Sequence, residues 1–181
     1  MTSDARREVT ASAGPALDAA GLDSFVRQHH DRLVALARLV CFDASEAGDV
    51  VQAALEQAWR RRASLQQADA LRAWLDRIVV REAIRMDRRQ RSPLARFFGG
   101  PREISVGVID PGTAGSHEMT ELRIAYESLP AEQRAAIALH LHYGYTVAET
   151  ADIVGAPLET IRSRLRLGRE RLRHALEDET R

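Results

Sequence analysis

Apolar side chains recur every three or four residues along most of this chain, a period that predicts helices rather than strands. Leu22, Phe25, His29, Leu33, Leu36 and Val40 fall on one face of a helix over 22–40. A second helix starts near Asp43, whose side chain suits its cap, with Glu46 three residues on. Val50, Val51, Ala54, Leu55, Ala58 and Trp59 form its apolar face, and Arg60, Arg61 and Arg62 complement the dipole at its end. After a short polar loop at 63–68, a third helix is predicted over 69–90. Leu71, Leu75, Ile78, Glu82 and Met86 line one side of it, with Glu82 the polar exception. Trp74, Arg77, Arg81, Arg85 and Arg88 line the adjacent side at steps of three and four, a long basic stripe headed by an indole.

The period then stops. Ser92-Pro93, Gly99-Gly100-Pro101 and Asp110-Pro111-Gly112 punctuate 92–117, the composition of a linker. Phe97, Phe98, Ile104, Val106, Val108 and Ile109 are apolar for a free linker and suit either docking on a partner or a short strand at 103–109. Helical spacing returns at 118–128, and Pro130 opens a further helix to about Tyr143.

The segment 146–176 is the most specific. Thr146 and Glu149 form a T-x-x-E capping box, Gly155 supplies a left-handed stop, and Pro157 suits the first position of the next helix. Leu158, Ile161, Leu165, Leu172 and Leu176 give that helix a core face flanked by Arg162, Arg166, Arg169 and Arg173. A short helix, a Gly turn and a basic second helix make a helix-turn-helix, which lays its second helix in the DNA major groove. The expectation is therefore an all-α protein: a disordered tail at 1–21, a helical module at 22–91, a flexible linker at 92–117, and a four-helix module at 118–178 ending in the helix-turn-helix.

Charge changes this picture by its placement. The formal net charge is zero, yet 59–92 holds ten Arg against four acids and 156–173 holds six Arg against two. Local patches, not the sum, set the field that a polyanion meets. Every basic residue besides His is Arg, a pattern that GC-rich codon usage explains without any function. Cys41 is the single cysteine, so no intramolecular disulfide or thiolate zinc cluster is expected, and its apolar setting predicts a packed thiol. His29-His30 and His140-x-His142 point apart on a helix and predict no metal site. No Gly-rich phosphate loop or activated nucleophile is evident, so no enzyme and no cofactor are expected. No apolar run reaches the roughly 20 residues of a membrane span and no secretory signal is evident, so the expected compartment is the cytoplasm.

The two modules together resemble the extracytoplasmic-function sigma factors. Asp49-Val-Val-Gln-Ala-Ala-Leu-Glu-Gln-Ala-Trp59 is similar to the family's D-L-V-Q-x-x-F-x-x-A-W segment, and Leu71-Arg-Ala-Trp-Leu-x-x-Ile78 to its a-W-L-x-x-I-A segment. Leu129-Pro-x-x-x-Arg134 resembles the start of the family's second domain, and 146–165, with its T-I-R-S-R run at 160–164, resembles its promoter-reading helix-turn-helix. Each segment alone is unspecific; four in register are specific.

The resemblance implies a factor that binds core RNA polymerase, directs it to the −10 and −35 elements of promoter DNA, helps open the duplex, and is held in check by an anti-sigma protein. It assigns polymerase binding to Asp49, Val50, Gln52, Leu55 and Trp59. It assigns the −10 element to the loop at 63–70 and to Trp74, Arg77, Arg81, Arg85, Arg88 and Arg89. It assigns the −35 element to the second module, whose recognition helix offers Glu159, Thr160, Arg162, Ser163 and Arg166 to base edges. Arg169, Arg171 and Arg173 lie farther along, toward phosphates or the polymerase flap.

The chemistry of these residues agrees. Unpaired strands need cations along the backbone and stacking surfaces for bases; Trp74 admits two readings here, a stacking surface or a core side chain at a helix contact. Arg pairs with guanine and Glu accepts from cytosine in a major groove. Two residues depart from the family: Arg81 stands where Asn is usual, and Glu159 stands where Gly is common before Thr160. The alternative is a helix-turn-helix regulator whose N-terminal module senses a ligand or dimerises; it leaves the stripe from Trp74 to Arg89 unexplained.

Overall fold

The computed structural model describes residues 19–41, 44–62, 70–90 and 117–177. Residues 1–18 of the tail, the Asp43 cap, the loop at 63–69 and the linker with its apolar cluster and suggested strand lie outside them; residues 19–21, expected in the tail, form the first turn of α1, and His117, expected in the linker, begins the second module. The described elements are helical: α1 (Ala19–Val40), a 3-10 turn (Ala44–Glu46), α2 (Ala47–Arg61), α3 (Leu71–Gln90), α4 (His117–Ser128), α5 (Ala131–Ile137), α6 (Val147–Val154) and α7 (Leu158–Glu177). α5 runs on into a π-helical turn, Ala138–His142, where the Tyr143 N–H donates to the Ala138 carbonyl at 3.0 Å. Gly144, at φ 75°, then swings the chain toward α6.

α1, α2 and α3 bury the faces their spacing marks, with Leu33, Leu36, Val50, Val51 and Leu75 all but inaccessible. In the second module Leu129, Ala136, Ile137, Ile161 and Leu165 form their own cluster. α7 closes tightly on α5 because Gly168 carries no side chain: a Cβ there would lie 2.6 Å from Ile137 Cδ1.

The two modules are packed together. Ala131, Ala135, Leu139 and Ile153 of the second belong to the same buried cluster as α1, α2 and α3. α3 is thus covered on both sides, by α1 and α2 on one and by α5 and α6 on the other. This explains why Val79, Val80, Ala83 and Ile84 are buried in addition to Leu71, Leu75 and Ile78. One apolar side and one basic stripe, the reading of its spacing, leaves that second apolar surface out.

Smaller differences have local causes. Pro157 precedes α7 and its carbonyl accepts from the Ile161 N–H at 3.1 Å, the geometry of a cap rather than of the first helical residue. Leu158 and Leu176 are exposed, so only the middle of α7 reaches the core. Trp59 is also exposed, with the Arg62 guanidinium 4.6 Å above its ring.

Candidate nucleic-acid interface

The helix-turn-helix is built by local chemistry. The Glu149 N–H donates to Thr146 Oγ1 at 3.2 Å while the Thr146 N–H donates to Glu149 Oε2 at 2.8 Å. These reciprocal bonds satisfy donors that a helix start leaves free, and the bond from the Thr146 side chain holds the Glu149 carboxyl below its usual range. Gly155 adopts φ 77°, ψ 45° and its N–H returns to the Ala151 carbonyl, closing α6. α7 then leaves at the angle the turn dictates, with Ile161 and Leu165 inward and Arg162, Arg166, Arg169 and Arg173 exposed.

The exposed arginines of α7 line a groove of about 370 Å³ together with His140 and Val147. Arg166 pairs with Glu170 at 2.9 Å and Arg173 with Glu177 at 3.4 Å, and Arg162 pairs with Glu159. Glu159 therefore stands beside Arg162 at the N-terminal end of the helix, with Thr160 and Ser163 on the same turn. His140 Nδ1–H donates to the Tyr145 carbonyl at 2.7 Å, which fixes the ring at the groove edge.

The stripe on α3 is placed differently. Trp74 is half-buried and packs on the core of α1–α3, which favours the core reading of its indole. Arg85 pairs with the buried Glu82 of its own helix. Arg81 reaches across to the helix-turn-helix, donating from Nε to the Ile153 carbonyl at 3.1 Å and from Nη2 to the Asp152 carbonyl at 3.2 Å. These carbonyls end α6, where the helix dipole favours a cation. The approach depends on Gly155, since a Cβ there would sit 2.6 Å from Arg81 Nη2. Arg88 pairs with Glu132 of α5 at 2.6 Å. Burial is the largest single influence on Glu132 and opposes its ionisation, but the bond from Arg88, a backbone hydrogen bond and the charges of Arg88 and Arg164 together outweigh it and leave the carboxyl below its usual value.

Two buried polar centres join the modules more firmly. Arg134, 1% exposed, donates to the Val40 carbonyl ending α1, to the Glu127 and Leu129 carbonyls beside it, and to Asp87 Oδ1 on α3 at 2.6 Å. Asp76, wholly buried, takes a two-pronged pair from Arg32 at 2.7 and 2.5 Å and the Tyr145 hydroxyl at 2.6 Å. Burial, reinforced by the bond to Asp76, pushes the Tyr145 hydroxyl far above the usual tyrosine range, so it stays a donor. Burial likewise raises Tyr126, whose hydroxyl donates to the Leu39 carbonyl at 2.9 Å.

The residues assigned to polymerase binding fall in two classes. Asp49, Gln52 and Trp59 are exposed and Leu55 is half-buried. Val50 has no exposed surface, so it supports that face from the core and cannot itself touch a partner. Motif reading gave Arg134 only the start of the second module, and it passed over Asp76, Asp87, Tyr126 and Tyr145. The available signal was weak: acids at 76 and 87 interrupt the second apolar surface of α3, and Arg and Tyr in another module answer them. Among the described residues no group of three metal-ligating side chains is clustered, and no helix is long and apolar enough to cross a membrane.

A three-helix module with a basic helix, followed by a helix-turn-helix module, is the architecture of the sigma-70 class of transcription factors. The family models for Sigma-70 region 2 and Sigma-70 region 4 match residues 25–92 and 125–174. The ECF RNA polymerase sigma factor SigM of Mycobacterium tuberculosis is 34% identical over 160 residues, spanning 88% of this chain and 79% of that protein. The ECF RNA polymerase sigma factor EcfG of Rhodopseudomonas palustris is 32% identical over 130 residues, covering 72% of this chain and 71% of its own length. The sigma factor RpoE of Bartonella quintana, solved in complex with the anti-sigma factor NepR, superposes with TM-score 0.69 at 28% identity, covering 86% of this chain and 96% of that one. This chain belongs to the extracytoplasmic-function sigma factors.

Proposed function

We propose that this protein is the promoter-specificity subunit of RNA polymerase: it binds the core enzyme, brings it to −10 and −35 elements and assists opening of the duplex. The observation that carries this reading is the exposed, arginine-lined face of α7 behind a fully formed helix-turn-helix, in one chain with a second basic helix. The catalytic chemistry stays in the polymerase, and the protein acts in the cytoplasm where its template is. Glu159, Thr160, Arg162, Ser163 and Arg166 would read the −35 duplex, with Arg169 on its phosphates. Arg77, Arg81, Arg85, Arg88 and Arg89 would follow the −10 strand, Trp74 bracing the helix from within, and Asp49, Gln52, Leu55 and Trp59 would meet the polymerase.

The packed arrangement supports an off state. Arg81 and Arg88 hold the second module, so the −10 stripe is open along its whole length only when the modules part. The RpoE relative was solved with an anti-sigma factor, and a protein of that kind would keep this chain compact. Pull-down with core polymerase, followed by run-off transcription from mapped start sites, tests the reading. Failure to bind core where a control sigma factor binds would end it.

A further inference from the structure

Between α3 and the helix-turn-helix lies a cleft of about 830 Å³ into which five guanidinium groups converge, those of Arg81, Arg85, Arg88, Arg89 and Arg164. Ile84, Val154 and Ala156 supply an apolar wall and Glu132 the single carboxylate of the lining. Two of the five guanidinium groups pair with a carboxylate at contact distance, Arg85 with Glu82 and Arg88 with Glu132, and the charge of Glu132 also attracts Arg164 from farther off. Arg81 spends its donors on neutral backbone carbonyls. Among the described residues Arg89 and Arg164 form no ion pair, and Arg164 Nη1 is buried with no hydrogen-bond partner. A buried guanidinium nitrogen without a partner is unfavourable unless something outside the chain accepts from it.

The promoter reading does not use Arg164: it lies off the exposed stripe of α7, half-buried and turned toward α3. Closing the modules brings this cation against those of α3, a like-charge juxtaposition that an anion in the cleft would turn into attraction. Planar guanidinium forks match phosphate oxygens two at a time. The volume lies within the roughly 300–1,000 Å³ of small-ligand sites. A peptide helix is about 10 Å across, so two turns of one would already fill the cleft, too small a footprint for a protein partner.

We propose that this interdomain cleft binds a small phosphate-rich anion, an oligophosphate free or carried on a nucleoside, and that the bound anion favours the packed arrangement. The proposal is separable from the promoter reading, because neither polymerase nor DNA is needed to measure it. The test is calorimetric titration of the full chain with inorganic tripolyphosphate, with ATP and adenosine as parallel arms. Saturable one-to-one binding of tripolyphosphate is expected. Arg164→Gln and, independently, Arg89→Gln should each weaken it by about tenfold or more, roughly the loss of one charged contact. Arg173→Gln, the same change on the outer face of α7, should leave it intact. Circular dichroism checks folding, and Arg164→Lys should retain part of the affinity. Saturating ligand should also raise the unfolding midpoint. Equal affinity for ATP and tripolyphosphate identifies the phosphate chain as the whole determinant; tighter ATP with no adenosine binding adds the nucleoside on the Ile84–Val154 wall. No saturable binding overturns the proposal, as does equal weakening by Arg173→Gln. So does a polyglutamate peptide or single-stranded oligonucleotide of matched charge that binds more tightly than tripolyphosphate.

Discussion

Arg162, Arg166 and Arg173 on α7 pair with carboxylates three or four residues away on their own helix, whereas Arg81 and Arg88 on α3 reach into the other module. Both helices carry basic stripes at the same spacing, yet the stripes differ in what must move before they meet a polyanion. Exposed pairs within one helix are worth only a few tenths of a kcal/mol and exchange readily for phosphate. The cross-module contacts of α3 come apart only when two buried polar centres and a shared apolar core come apart with them. Like composition thus yields one surface available in the packed state and one tied to domain separation.

The contrast is broken most forcefully at Asp87. Asp87→Asn leaves the Arg134 guanidinium buried without its carboxylate, and loss of one partner of such a pair costs about 3–5 kcal/mol. Urea unfolding should show that loss, and small-angle scattering should show an expanded molecule; a compact, fully stable variant would dismiss Arg134 as the joint. Tyr145→Phe removes the cross-module donor to Asp76 and should cost about 1.5–3 kcal/mol, the range for a bond to a charged acceptor. Read by the same denaturation, a neutral result would assign Asp76 to Arg32 alone.

Gly155→Ala imposes roughly 1–2 kcal/mol of left-handed strain and also pushes Arg81 away, so it should weaken docking as well as the turn. Arg81→Asn, the usual family residue, should reproduce the docking part without the strain, which hydrogen exchange at the end of α6 can separate. Thr146→Ala should cost about 1 kcal/mol through the lost cap, felt in the second module and not in inter-module scattering.

The smallest effect is the acid response of the Arg88–Glu132 pair. The Glu132 carboxyl lies below its ordinary value of 4.5 when folded, so the pair contributes fully above that pH and is lost as pH falls through the lower folded value. Glu132→Gln should lack that share of the acid transition; an identical transition in the variant would place its origin elsewhere.

Much of this is written in the local pattern. The capping box at Thr146, the αL stop at Gly155 and the apolar period of α1 and α2 depend on residues within a few positions of one another, so a linear reading finds them. Trp59 and Val50 show where it weakens. Both sit on an apolar helical face, and only the packing of α1 and α3 decides that Val50 is sealed while Trp59 stays in solvent.

The sequence by itself determined the helices, their order, the helix-turn-helix and the two basic stripes, because each rests on backbone geometry and spacing along one helix. The tertiary structure alone decided that α3 is covered on two sides, that Arg134 and Asp76 join the modules, and that Arg81 caps the Ile153 carbonyl at the end of α6. Those contacts connect residues 47, 69 and 72 positions apart. Charge complementarity at such separations leaves no period in the chain; it arises when burial brings the groups together and makes pairing obligatory.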